Sequence, residues 1–387
     1  MKDPFQAYQL ELEVLSPVHV GTGEVFPAYA YQLDTTNNKV RILDIDKLLA
    51  ILPPDLQDNY FEAVAGGPKQ AQTTLSELSR SGKVDLTPAV VREIATSRSF
   101  NQTVSEAIDE AALEFRPLPV SPLGPYIPGS SLKGALRTAW IYQQTAGQEW
   151  RLEPGDRWSN RRGEGKILLP TSAFSLRSPF AKVSAKINTN FEAHLLGYMG
   201  NRRPDLYRDP FRSLKVADSA PLVKTLLNRL RVFHRGADVD MDLTVLAETV
   251  PRKDANSLPQ KISFDLRFQP GLADNPIEPE SLAKACRSFY GDVCDEEADF
   301  ALEFNMTKAK EIYDGIAKRL ADPAHQDGFP VRFGFGSGGL ATTLALAIEG
   351  TAIPATRKGA AGTDAQLSFP LGWLWGQLKP KMESGSC

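Results

Sequence analysis

The 387-residue sequence predicts an α+β fold built of two related units, and three observations carry that prediction. Period-two alternation marks strands at both ends of the chain. Helical spacing is grouped between them, and glycine clusters twice stand where a strand meets a helix. Strands that are not regularly interleaved with crossover helices pair antiparallel, which separates α+β from α/β. The units divide near Pro251 into 1–250 and 251–387, with a helical insertion at about 46–115 in the first.

The first strand is Tyr8–Val14, where apolar and polar residues alternate. It runs into SPVHVGTG, in which Gly21 and Gly23 let backbone approach a ligand closely. Val40–Ile45 reads as a second strand, and Asp46 stands where a helix cap would. Residues from about 54 to 115 are rich in Ala, Ser, Gln and Glu at helical spacing. The segment Arg116–Pro125 is too proline-dense for regular structure and delivers an extended chain to YIPGSSLKGALRT, Tyr126 to Thr138. Leu132, Ala135, Leu136, Ala139 and Trp140 recur at three- and four-residue intervals, so that motif opens a helix. Arg151 to Lys166, with Arg157, Arg161 and Arg162, has few apolar anchors and reads as a mobile basic loop. Asp209–Ser219 reads as turn, strand and turn, with Asp218 a turn cap.

In the second unit, Ile262, Phe264, Leu266 and Phe268 alternate with polar residues in the clearest strand of the chain. Helical spacing covers Glu280 to Leu320 with a break at Gly291. The glycine-rich segment Arg332–Leu340, another helical stretch and a terminal strand, Pro370–Trp375, follow.

Composition excludes several function classes. No apolar run is long enough to span a bilayer. The opening MKDPFQAYQLELEVL lacks the basic head and apolar stretch of a signal peptide, so a cytoplasmic chain is expected. Cys286, Cys294 and Cys387 make no even framework, and the four histidines have no metal-ligand spacing, so neither disulfides nor a metal or cofactor is expected. The net charge of −3 hides a split: Gly129 to Lys215 carries fifteen Lys/Arg against seven Asp/Glu, +8, and the rest −11. Such a split is the footprint of a localised polyanion site.

The central motif nearly matches two catalytic signatures. A nucleotide-binding loop needs Lys after the second glycine and then Ser or Thr for Mg²⁺; here Lys133 precedes Gly134, and Ala135 follows. The Ser130–Lys133 spacing of an acylated serine lacks its S-D-N and K-T-G companions. Anion holding remains. Amides bared by Gly129 and Gly134, the hydroxyls of Ser130 and Ser131, and the charges of Lys133 and Arg137 would face a phosphate at a helix start. Gly334, Gly336, Ser337, Gly338 and Gly339, with Arg332 nearby, offer the same geometry. Phe333 and Phe335 there either stack on bases or fill the core. His19, beside its glycine turn, either packs at a strand end or serves as general base on a ribose 2′-hydroxyl. Two phosphate-holding loops suit a nucleic-acid backbone, RNA in particular.

LSPVHVGTG, YIPGSSLKGALRTAW, DPFRSLKVADS, GFGSGG and the closing PLGW, in this order, resemble the RAMP superfamily of CRISPR proteins, and within it a subunit of type III-A (Csm) effector complexes. The likeness spans Leu15 to Trp373. It implies two ferredoxin-like (RRM-like) domains in a non-catalytic, RNA-binding subunit. Such a subunit caps the filament at the crRNA 3′ end and supports crRNA maturation and antiviral interference. The implied partners are crRNA, the backbone and small subunits, host nucleases for 3′-end trimming and, indirectly, target RNA. It places His19, Gly21, Gly23, Gly129–Arg137 and Gly334–Gly339 along the RNA. The alternatives are a metal-independent RAMP-type endoribonuclease using His19, or the equivalent capping subunit of another type III complex.

Overall fold

The structure is a computed structural model that describes residues 5–34, 36–106, 113–146, 150–153, 157–160, 167–168, 192–193, 195–200, 204–234, 241–252, 258–349, 356–360 and 368–381. In the first strand, β1 (Gln6–Val14), Leu10, Leu12 and Val14 are buried while Gln9, Glu11 and Glu13 are half-buried, so alternate side chains reach the core.

A hairpin of β2 (Tyr31–Asp34) and β3 (Lys39–Leu43) follows, then α1 (Ile45–Ile51), α2 (Pro54–Ala65) and α3 (Pro68–Ser81). The cap of α1 is Asp44 and not Asp46: the Asp44 carboxylate accepts from the Lys47 amide at 3.2 Å. Proline begins α2 and α3, where its fixed φ fits and its missing N–H costs nothing. Next come β4 (Val90–Thr96) and α4 (Arg98–Glu106). The stretch read as a helical insertion thus holds four helices, but β4 within it pairs with β3 and belongs to a sheet.

Further elements are β5 (Phe115–Arg116), α5 (Gly129–Gln144), β6 (Leu214–Ser219), β7 (Leu226–His234), β8 (Met241–Thr249), β9 (Lys261–Phe268), α6 (Pro279–Glu303), α7 (Thr307–Ala321), β10 (Gly328–Arg332), β11 (Thr356–Ala360), β12 (Phe369–Pro370) and β13 (Trp373–Pro380), beside short strands in two smaller sheets. Helix α6 runs unbroken through Gly291; the chain turns later, at Asn305, whose φ is 52°. After the glycine-rich loop, Leu340–Thr342 and Ala345–Ala347 form 3₁₀ turns in place of the expected helix. Within the expected basic loop, Trp150–Glu153 and Arg157–Asn160 pair as strands, whereas Arg161 and Arg162 lie outside the described residues.

Five strands form one antiparallel sheet in the order β6-β9-β1-β13-β10. Traced through the chain, β1-α5-β6-β9-α6-β13 is a β-α-β-β-α-β unit with the ferredoxin-like strand order, and β10 extends its edge. Strands from both sides of residue 250 share this sheet. The expected division at Pro251 therefore does not separate two sheets, because β1 is paired on one side to β9 and on the other to β13. Helices α5 and α6 cover one face, packing Leu132, Leu136, Phe289 and Val293 into one core with Leu10, Leu12 and Phe264. Each such buried side chain contributes about 1.5–3 kcal/mol. On the opposite face Glu11 is paired with Lys261 and Lys379, and Glu13 with Arg319.

The second sheet runs β12-β11-β7-β4-β3-β2, with β8 joined to β7 and β5 to β8. Its core gathers Tyr31, Val40, Ile94, Phe100, Phe115 and Leu246. The fold is α+β of the ferredoxin-like kind.

Candidate nucleic-acid interface

Helix α5 begins where the sequence places it, with the Lys133 and Arg137 side chains turned inward. The Gly129 amide is taken by Asp218, whose Oδ1 accepts from it at 2.8 Å. A Cβ at Gly129 would sit 2.3 Å from the Ala217 carbonyl oxygen, so only glycine lets the helix start lie on β6. Lys133 Nζ donates to the carbonyls of Phe211 and Leu214 at 2.9 and 2.7 Å. Arg137 Nη1 donates to both Asp209 oxygens at 3.0 Å, Nε to Glu192 and Nη2 to the Tyr198 hydroxyl, with the guanidinium over the Phe211 ring. Burial opposes the Arg137 charge, but the hydrogen bond to Asp209 and the charges of Asp209 and Glu192 together outweigh it and raise the pKa. Lys133 is lowered, first by burial and then by Lys215.

The expected phosphate clamp is therefore corrected: Lys133 and Arg137 do share a helix face, and that face looks at residues 209–214 instead of solvent. YIPGSSLKGALR and DPFRSLKVADS are two halves of one internal joint, in which Asp218 caps the helix and not a turn. Ser130 and Gly134 remain exposed and Ser131 half-buried. Nothing lies within 4 Å of a Cβ built at Gly134, so space does not require that glycine.

The second expected loop keeps three of its glycines in a left-handed backbone. Gly334, Gly336 and Gly338 have φ of 92°, 85° and 78°, a left-handed backbone that glycine adopts without strain. Two loops meet here: the Phe335 amide donates to the His19 carbonyl at 2.7 Å, and a Cβ at Gly334 would strike that oxygen. Ser337 is buried, and its hydroxyl donates to the Gly334 carbonyl at 2.8 Å. The amides of Gly336, Gly338 and Gly339 donate to no described residue. Phe333 is core, while Phe335 is half-buried, with Lys358 Nζ 3.9 Å and Arg116 Cζ 5.0 Å from its ring centroid. Neither cation has an ion-pair partner among the described residues. The Lys358 pKa is lowered, first by burial and then by Arg116.

Sequence reasoning missed Arg116 and Lys358. The first was hidden in a proline-dense run, the second in a segment without a motif. Both lie in short strands of the second sheet, which no local pattern links to Gly334.

Arg332 is corrected as well. It is 1% exposed, pairs with Glu297 at 3.1 Å and donates from Nε to the Leu371 carbonyl at 3.0 Å, so it lies beneath the loop and not on its surface. His19 is also 1% exposed. Its Nδ1 donates to the Glu248 carbonyl at 2.6 Å, which leaves Nε2 as the unprotonated nitrogen, without a described partner. Burial, then the charge of Arg116, lowers its pKa to about 4. A Cβ at Gly21 would lie 3.0 Å from Nε2, so Gly21 leaves room for the ring, whereas Gly23, with φ of 89°, answers to its turn. The covered ring is not placed to reach a 2′-hydroxyl. Glu248 joins the elements around it: its carboxylate pairs with Arg92 of β4 and accepts from the Leu118 amide at 3.1 Å.

The described residues hold no cluster of three metal-ligating side chains, and no described helix is long and apolar enough to cross a membrane. The family model of the RAMP superfamily matches residues 11–337. The Csm5 protein of the CRISPR system of Streptococcus thermophilus is 24% identical over 358 residues, which cover 90% of this chain and 83% of that protein. Two solved structures share the fold. A chain of a Csm–crRNA–target RNA ternary complex of a type III-A CRISPR-Cas system matches with a TM-score of 0.60 at 19% identity, over 96% of this chain and 100% of that one. Csm5 of T. onnurineus matches with a TM-score of 0.62 at 18% identity, over 94% and 99%.

Proposed function

Because the chain belongs to the RAMP superfamily, we propose that it is an RNA-binding subunit of a type III-A CRISPR effector complex. In this reading it holds the RNA backbone at the glycine-rich loop, caps the filament at the crRNA 3′ end and supports crRNA maturation, with neighbouring Csm subunits and trimming nucleases as partners. The observation that carries the RNA reading is one loop: the amides of Gly336, Gly338 and Gly339 have no described acceptor, Gly336 lies against Lys358, and Lys358 and Arg116 stand over the Phe335 ring. Positive-φ glycines that leave amides unpaired form an anion-binding concavity. Two cations without carboxylate partners among the described residues add attraction, and a part-exposed ring offers a stacking face. No bond is broken there in this reading, since the nearby imidazole is covered and neutral.

The test is the salt dependence of binding to a labelled single-stranded oligoribonucleotide. Withdrawing one cation from one phosphate lowers the slope of log K against log[salt] by about 0.7 for single strands. Arg116→Ala with Lys358→Ala is expected to weaken binding and to lower the slope by roughly 1.4. An unchanged slope sinks the site. Co-purification tests the assembly, and a chain that joins no Csm complex and carries no crRNA sinks that part.

A further inference from the structure

Beneath the glycine-rich loop lies a buried ion group that the RNA reading leaves unused. Glu297 of α6 is 2% exposed, and its two oxygens hold two arginines: Oε1 faces Arg332 Nη1 at 3.1 Å and Oε2 accepts from Arg357 Nε at 2.8 Å. Tyr313 leans on the same carboxylate at 3.5 Å. Each arginine leads to a different part of the loop site. Arg332 ends β10 and donates from Nη2 to the Gly336 carbonyl at 3.4 Å, under the loop itself. Arg357 lies in β11 directly before Lys358, and successive side chains of a strand point to opposite faces. With Arg357 held inward over the Phe300 ring, Lys358 is directed outward, its Cβ 3.2 Å from where a Cβ of Gly336 would be and its Nζ over Phe335.

We infer that Glu297 is a positioning residue for RNA binding: one buried carboxylate fixes both the glycine-rich loop, through Arg332, and the Lys358 ammonium, through Arg357. The inference rests on the reading of this loop as the RNA contact. Its physical basis is the cost of buried charge. Two guanidiniums this deep are tolerated because a carboxylate lies between them. Removing that carboxylate leaves like charges facing each other in a medium of low dielectric. Their relief is to move apart, which shifts the Gly336 carbonyl on one side and strand β11 on the other. Glutamine keeps the volume of Glu297 and removes its charge.

A double-mutant cycle in the full-length chain tests this, read as affinity and salt slope for a labelled single-stranded oligoribonucleotide. Glu297→Gln is expected to weaken binding roughly fivefold to tenfold and to flatten the slope by about 0.7, as Lys358→Ala does. The double variant should bind no worse than the weaker single one, because both changes act on the same phosphate interaction. Additive losses overturn the inference, and so does a Glu297→Gln protein that melts lower yet keeps the wild-type slope, since that is a structural role alone. If Glu297→Gln does not fold, replacing Glu297, Arg332 and Arg357 together by Met removes every buried charge of the group, an exchange that cores often accept. That protein should also lose slope, and a wild-type slope overturns the inference. The two readings fail differently. A wild-type slope in Lys358→Ala sinks the RNA contact and this inference with it, whereas weakening by Lys358→Ala without weakening by Glu297→Gln sinks the inference alone.

Discussion

His19 donates through Nδ1 to the Glu248 carbonyl, and burial keeps the ring neutral with a pKa near 4. An unfolded histidine titrates near 6.5, so between these values the unfolded chain binds the proton that the folded chain refuses. Stability from this residue is therefore fully present above about pH 6.5 and is lost as the pH falls toward 4. The whole effect is on the order of 3 kcal/mol. Denaturant unfolding at a series of pH values should show the loss on the acid side, and His19→Asn should make it shallower. Equal acid slopes in the two proteins would refute the assignment. The same residue shows the limit of local reading: a histidine next to a glycine turn has one sequence pattern whether its ring is covered or open. What covers it here, Glu248 and Phe335, lies more than two hundred residues away in the chain.

At the scale of elements, the α5–β6 joint makes a prediction opposite to the one its charges suggest. Lys133→Ala strips two buried carbonyls of their donor and should destabilise the fold by about 1–3 kcal/mol. Its salt slope for RNA should stay that of the wild type, because the ammonium points inward. Melting temperature and slope measured on one preparation decide it, and a flattened slope would restore Lys133 to the RNA surface. Helix α5, strand β1 and strand β9 were legible from period alone, because each presents one apolar face. The 3₁₀ turns after Gly339 were not. Ala, Leu and Thr there are good enough for a helix, but Thr342 and Thr343 turn their hydroxyls back onto the carbonyls of Gly338 and Gly339. Asp44 and Asp46 are equally good caps by type, and only the backbone angle at Asp44 selects one.

For the whole molecule, the decisive fact is that the first strand lies between β9 and β13, both from the far end of the chain. Fragments 1–250 and 251–387 made separately should each lack a cooperative thermal transition, because either one leaves the central sheet without its neighbours. A sharp melt of either fragment alone, followed by circular dichroism, would contradict this. The Gly21 turn and the Gly334 loop, more than three hundred residues apart in the chain, meet through the His19 carbonyl and the Phe335 amide.

Taken alone, the sequence determined the α+β class and the principal strands and helices, while its motifs carried the superfamily resemblance and named the glycine-rich loop as a candidate. The elements follow from local pattern, since hydrophobic period acts over a few residues. Tertiary structure alone decided which cations are available to a ligand. Lys133, Arg137 and Arg332 have the same charge as Arg116 and Lys358. The first three are committed to internal carbonyls and carboxylates, and among the described residues the last two are not. Partners so far apart in the chain leave no periodic trace, and whether a charge is neutralised depends on what folds against it.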